Sequence, residues 1–284
     1  MRLWAISDLH VAFRENREFV EQISDHGDDW LILAGDICES FGDLESVFRL
    51  MSERFAKVFW VPGNHELWTT RPTEPSGVAR YEALIALCRR YGVVSPEDPY
   101  EVWPGPGGAH LIAPLFVLYD YSFKPADVSL DKALDWACDQ GVLCSDEALL
   151  HAAPYASKSD WCAARCALSE QRLEQAAQRA PLILINHFPM IRAVADVPAF
   201  PPFVIWCGTS RTHDWHRRFR AVVVVSGHLH IPSTRHIDGV RFEEVSMGYP
   251  NQWRRRSGGI DAMLRQILPA PVDPSGDRNR MQTD

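Results

Sequence analysis

Five short apolar runs in this chain each end in a cluster of carboxylate, amide or imidazole side chains. The runs are Leu3-Trp4-Ala5-Ile6, Trp30-Leu31-Ile32-Leu33-Ala34, Val58-Phe59-Trp60-Val61, Leu182-Ile183-Leu184-Ile185 and Val222-Val223-Val224-Val225. The clusters that follow are Asp8-Leu9-His10, Gly35-Asp36, Gly63-Asn64-His65-Glu66, Asn186-His187 and Gly227-His228-Leu229-His230. Runs this short and this rich in β-branched residues read as strands buried on both faces. Sites in open α/β sheets form at the carboxyl ends of strands, where these clusters stand. The pattern restricts the chain to an α/β class with a shared polar centre.

Helical spacing fills the intervals. Asn16 to Ile23, Asp43 to Phe55, Val78 to Tyr91 and Ser159 to Arg179 read as helices, with Asp43 a cap for the second and Gly92 ending the third. Shorter strands are expected at Val93-Val94, Tyr100 to Trp103 and His110 to Val117. Thr234 to Ile237 and Val240 to Val245, joined by Asp238-Gly239, read as a hairpin.

The donor types choose the chemistry. Two Asp, one Asn and several His, with no thiolate, suit Mn, Fe, Zn, Ni or Mg rather than Cu(I) or an iron–sulfur cluster. In Asp8-Leu9-His10, alternate residues of an extended chain face one side, so both can reach one ion. The same holds for His228 and His230. A single tetrahedral ion takes four ligands, fewer than are present. Two ions sharing a carboxylate use them all, with Asp36 the natural bridge. Each residue alone has a plainer reading, a helix cap for Asp8 or a turn residue for Asp36 and Asn64. Five clusters behind five strands outweigh it.

The ordered series DxH, GD, GNHE, NH and GHxH, from residue 8 to residue 230, resembles the calcineurin-like metallophosphoesterase superfamily. The resemblance implies a four-layer sandwich of two mixed β-sheets flanked by helices. It implies that Asp8, His10, Asp36 and His230 hold one metal ion, and Asp36, Asn64, His187 and His228 the other. His65 matches the family's histidine that faces the scissile phosphate without binding metal. Gly35-Asp36-Ile37-Cys38-Glu39 lacks the Asp-Arg-Gly continuation of the Ser/Thr protein phosphatases, which disfavours that activity.

The implied mechanism is hydrolysis by a hydroxide bridging two divalent or trivalent ions, with His65 assisting the leaving group near neutral pH. Glu66, Glu39 and Asp43 are candidates to orient His65. A phosphodiester is slightly favoured as substrate. The alternatives are a phosphomonoesterase acting on a small metabolite or nucleotide, and a non-catalytic scaffold of the same fold.

Composition narrows the setting. A net charge of −8 argues against general nucleic-acid binding. No apolar run approaches the ~20 residues of a membrane span. The strand beginning at Leu3 leaves no room for a signal peptide, and seven cysteines without CxxC spacing fit a reduced cytoplasmic location. The motifs imply one domain over residues 1–268, followed by a disordered Pro-rich tail over 269–284. Trp253-Arg254-Arg255-Arg256 reads as a solvated basic loop.

Substrate recognition is expected in two aromatic, polar segments, Tyr119 to Lys124 continuing to Trp161, and Phe200 to Arg218. Trp206 and Arg211, together with Arg192 just beyond the Asn186-His187 loop, are candidate substrate-binding residues. His151, His213, His216 and His236 read as surface or pocket-lining. Leu3 to His10, Asn186 to Pro189 and Arg241 to Ser246 further resemble actinobacterial metallophosphoesterases. That group includes a mycobacterial enzyme hydrolysing phosphopantetheine from carrier proteins. A phosphopantetheinylated carrier protein, a nucleotide and a phosphorylated small molecule are the implied substrates.

Overall fold

Strand-by-strand alternation builds two stacked cores. In the computed structural model, which describes residues 1–271, β1 (Leu3–Ile6), β2 (Trp30–Leu33) and β3 (Lys57–Trp60) run parallel. β10 (Arg265–Leu268) closes antiparallel on β1. The second sheet has the order β4 (Glu101–Val102), β5 (Leu111–Pro114), β6 (Leu182–Ile185), β7 (Ala221–Ser226), β9 (Val240–Glu244) and β8 (Ser233–Ile237). Its strands β5, β6, β7 and β9 are parallel, and β4 and β8 are antiparallel edges. Alternate side chains of one strand point to opposite faces. Ile32 and Ala34 therefore join Ile183, Ile185 and Val225 in a core between the sheets, while Leu31 and Leu33 face a core shared with the helices. This is the expected sandwich of two mixed sheets flanked by helices.

The helices are α1 (Arg14–Val20), α2 (Phe41–Arg54), α3 (Asn64–Leu67), α4 (Gly77–Arg90), α5 (Ala133–Asp139), α6 (Asp146–Leu149), α7 (Lys158–Ala177), α8 (Trp215–Arg218) and α9 (Pro250–Trp253). The cap of α2 is Ser40 rather than Asp43: the Ser40 hydroxyl oxygen accepts from Asp43 N–H at 3.1 Å. Asp43 sits three residues inside, where its carboxylate accepts in turn from that hydroxyl at 2.9 Å. The hairpin turn has positive φ at both Asp238 (51°) and Gly239 (76°), as a two-residue turn matched to strand twist requires.

Two expectations need correction. His216 is buried, not surface or pocket-lining, and its Nε2 lies 2.9 Å from Asp238 at the hairpin turn. In the basic cluster, Arg254 and Arg255 are exposed as expected, but its two ends are structural: Trp253 stacks on Phe19, and Arg256 donates to the Ser246 and Met247 carbonyls. No described helix is long and apolar enough to cross a membrane. The tail expected from residue 269 falls, beyond residue 271, outside the described residues.

Candidate metal centre

The two sheets are knit together where their strands end. Ser7, after β1, bridges Ser246, after β9, through Ser7 N–H to Val245 O at 3.1 Å and Met247 N–H to Ser7 O at 2.8 Å. This brings the clusters that follow β1, β2, β3, β6 and β7 to one place. The approach is close enough to require glycine. A Cβ on Gly63 would lie 2.0 Å from Asp36 Oδ1, and one on Gly227 would lie 2.4 Å from Asp8 Oδ2. Among described residues other than glycine, eight have positive φ, and five are Asp8, His10, Asp36, His228 and His230. Backbone of this kind costs on the order of 1–3 kcal/mol per residue and gathers at functional sites. Here it turns side chains back across the strand ends.

The donors fall into two groups. In the first, His230 Nε2 lies 3.1 Å from both Asp8 Oδ1 and His10 Nε2. The Gln252 amide oxygen, 2.9 Å from His230 Nδ1, favours the tautomer that leaves Nε2 as an acceptor. Ser246 Oγ donates to Asp8 Oδ2 at 2.7 Å. In the second group, Asp36 Oδ2 lies 3.4 Å from His187 Nε2, and His187 Nδ1 is 2.8 Å from the Ala34 carbonyl. Asn64 gives its amide N–H to Asp146 Oδ1 at 2.9 Å, which directs its Oδ1 the other way.

Asn64 Oδ1, His187 Nε2 and His228 Nε2 are buried without a hydrogen-bond partner. Each such atom costs about 1–3 kcal/mol unless something satisfies it. Ligand atoms of Asp36, His187 and His228 lie within 4.8 Å of one another, as do those of Asp8, His10 and His230. Asp36 also forms such a set with His10 and His65, so it reaches both sides. The residues fit a hard or borderline cation in each group.

Electrostatics divide the candidate ligands: burial disfavours charge on every ring, but Asp36 and Asp8 outweigh it at His187, raised to about 10, and Asp8 outweighs it at His230, also raised. Burial opposes charge on Asp8 and Asp36, yet the surrounding imidazoles hold both carboxyls below their usual range. Burial lowers His10 to about 4 and His228 to about 3, keeping these rings neutral and able to act as ligands. His65 moves up, as His187 and His230 do. Burial disfavours its charge, but Asp36 and Glu39 outweigh burial and push it up to about 9.

Of the three candidate partners for His65, the geometry selects Glu39, whose Oε1 is 2.6 Å from His65 Nδ1. Glu66 turns inward and accepts from the N–H groups of Asp36, Ile37 and Gly63 at 3.0, 2.6 and 2.8 Å. Burial and nearby Asp36 raise it to about 7. Asp43 pairs with Arg17 instead.

Sequence reasoning missed Asp146. Its Oδ1 accepts from Asn64 and also from Trp68 Nε1 at 2.7 Å, and the Trp68 ring lies 3.8 Å from that of His65. One carboxylate oxygen therefore steadies a candidate ligand and the wall behind the candidate acid. Asp146 stands on four-residue α6, which has no periodic signal. Only its place in the aromatic, polar segment between Tyr119 and Trp161 hinted at a role.

A cleft of about 520 Å³ opens over the centre, with Asp36, Asn64, His65, His228 and His230 as its floor and Val197 to Phe200, Phe203, Leu229 and Ile231 among its walls. The three candidate substrate residues are not among its lining. Trp206 is fully buried and donates to Glu147 at 2.7 Å, Arg211 is 3.3 Å from Asp120, and Arg192 pairs with Asp196. Phe203, three residues before Trp206, lines the cleft together with Phe200 and Tyr249, and its ring lies 5.5 Å from that of His228.

Known proteins resemble this chain in sequence and in fold. The family model described as calcineurin-like phosphoesterase matches residues 1–232. Acyl-carrier-protein phosphodiesterase PptH of Mycobacterium tuberculosis (strain ATCC 25618 / H37Rv) is 48% identical over 273 residues, covering 95% of this chain and 84% of the relative. The crystal structure of phosphopantetheinyl hydrolase (PptH) from Mycobacterium tuberculosis superposes with a TM-score of 0.91 at 48% identity, covering 95% of this chain and 96% of that one. The chain belongs to the calcineurin-like phosphoesterase family, whose members use divalent metal ions, and is a hydrolytic enzyme acting on phosphate esters.

Proposed function

We propose that this protein is a dinuclear phosphodiesterase that releases phosphopantetheine from a carrier protein. The observation that carries the reading is the convergence of three orphaned buried donors, Asn64 Oδ1, His187 Nε2 and His228 Nε2, beside a second donor set. The 48% identical acyl-carrier-protein phosphodiesterase supports the substrate. Asp8, His10, Asp36 and His230 would hold one ion, and Asp36, Asn64, His187 and His228 the other. Manganese, iron, zinc and nickel all suit this donor set. Metal bound there would supply neutralisation of phosphate charge and a water nucleophilic near neutral pH.

The protein's own groups do the rest. Asp146 and the Ala34 carbonyl fix the orientation of Asn64 and His187. His65, held by Glu39, gives a proton to the leaving oxygen. Water adds its hydroxyl to phosphorus as the phosphorus–oxygen bond to the carrier serine breaks. The serine oxygen takes the proton of His65, the proton that water gives up returns to His65, and free 4′-phosphopantetheine departs. We further read residues 1–268 as one domain acting in a reduced cytoplasm, in keeping with cores shared across both sheets and seven free cysteines.

The test uses protein stripped of metal and reloaded with manganese. It compares phosphopantetheinylated carrier protein, bis-p-nitrophenyl phosphate and p-nitrophenyl phosphate, with Asp36→Asn as control. Metal-dependent release from the carrier and diester cleavage, both lost in the variant, are expected. Turnover of the monoester alone would overturn the diester reading.

A further inference from the structure

The walls of the cleft have a chemistry of their own. Its floor is ionic, yet none of the described residues lining it is lysine or arginine. Val197, Phe200, Phe203, Leu229 and Ile231 form an apolar side that rises directly from the donors, since Leu229 and Ile231 alternate with His228 and His230. Phe200 is 62% exposed and Ile231 37%, so two large apolar groups stand at the mouth of a charged site. A surface that keeps such groups in water beside a site gains when a ligand covers them.

Charge decides what kind of ligand fits. Two cations can neutralise one phosphate, but a polyphosphate nucleotide carries further negative charges. Those charges would meet apolar walls without a cationic partner, which is costly. A phosphodiester carries a single charge. An uncharged arm of alkyl and amide segments can lie along the apolar side, and 520 Å³ is room for it. Tyr249 and Gln252, also in the lining, offer polar groups for the amides.

We propose that the wall formed by Val197, Phe200, Phe203, Leu229 and Ile231 is a subsite for the slim, uncharged arm of a monoanionic phosphodiester. Its natural occupant is the pantetheine arm, an assignment that rests on the proposed carrier-protein activity. Phe200 is its most accessible element. The turn that presents it is held by Phe200 N–H to Val197 O at 3.0 Å and Phe203 N–H to Phe200 O at 2.9 Å.

The experiment measures kcat/KM for methyl and hexyl p-nitrophenyl phosphate and for phosphopantetheinylated carrier protein. Native protein is compared with Phe200→Ala and Val197→Ser, all loaded with manganese, with thermal melts to verify folding. The hexyl-to-methyl ratio of the native protein is expected to be about tenfold or more, from burial of several methylenes. Both variants should reduce that ratio towards one and slow carrier cleavage by a similar factor. A native ratio near one, or a ratio unmoved in both variants, overturns the subsite. If the ratio behaves as expected while the carrier is not cleaved, the apolar subsite stands and the carrier activity falls. If the carrier is cleaved without chain-length dependence, the carrier activity stands and the subsite falls.

Discussion

The two halves of the candidate centre are built differently. Around Asp8, His10 and His230 the donors crowd one another, and their support is near the strand ends: Ser246 on Asp8 and Gln252 on His230. Around Asn64, His187 and His228 the inward atoms, Asn64 Oδ1 and both Nε2, make no hydrogen bond, and His187 Nε2 only approaches Asp36 Oδ2, at 3.4 Å. Here one ligand leans on Asp146, 82 residues away along the chain. The first half is closed by the sheet junction itself. The second half is completed by the segment between β5 and α7, so elements outside the motif series control its shape. The difference teaches that the motifs specify where the candidate ligands stand, while the segment between β5 and α7 fixes how one of them is aimed.

The harshest way to break the comparison is to remove what joins the halves. Asp36→Asn should reduce turnover beyond about a thousandfold, since a preorganised charge at the reacting centre is lost. It should also lower metal content measured by elemental analysis. Full metal content with full activity would show that Asp36 joins nothing. Next comes a group that belongs to neither half. His65→Asn should keep the metal content and cost roughly 10²–10³ in kcat, as for a lost proton donor. A variant as active as the native protein would remove His65 from catalysis.

The unequal support of the halves gives a sharper test. Asp146→Ala should weaken binding of one ion about 10–100-fold in a calorimetric titration, while the other site is unaffected. Asp146→Asn can still accept from both Asn64 and Trp68 through its own oxygen, so it should restore most of that affinity. Equal weakening of both sites would make Asp146 a general prop of the fold rather than a support for the Asn64 half.

What the sequence revealed follows the same division. All seven candidate ligands were legible because each follows a buried strand, and strand ends in parallel sheets converge. The buried runs alone marked an α/β class, and the two-sheet sandwich followed from the family resemblance that the ordered motifs carry. Glu39 could be named only as one of three, because which carboxylate meets His65 depends on how the α3 turn packs against the loop after β2. Asp146 was not legible, since a four-residue helix buries its carboxylate with no periodic pattern to mark it. Trp206 and Phe203 show the remaining limit. They are three residues apart on one short turn, and only packing decides that Trp206 enters the core and Phe203 faces the cleft.

The smallest expected effect concerns the residue that serves both halves from outside. His65 is raised to about 9, whereas Glu39 lies below its usual carboxylate range because His65 outweighs the effect of burial. The two shifts have opposite consequences with pH. The His65 contribution to stability is fully present below about 6.5 and is lost as pH rises through about 9. The Glu39 contribution is present above about 4.5 and is lost as pH falls further. The pair therefore stabilises the metal-free protein in the window between these limits. Glu39→Gln keeps a hydrogen-bonding oxygen but removes the charge. The His65 titration midpoint, followed by NMR of its ring protons in the metal-free protein, should move down towards 6.5. Turnover of the metal-loaded variant should fall by about tenfold, because the imidazole is still placed but holds its proton less firmly. An unmoved midpoint would mean that Asp36 alone sets the state of His65. Its readiness as an acid would then belong to the centre itself, leaving Glu39 only the orientation of the ring.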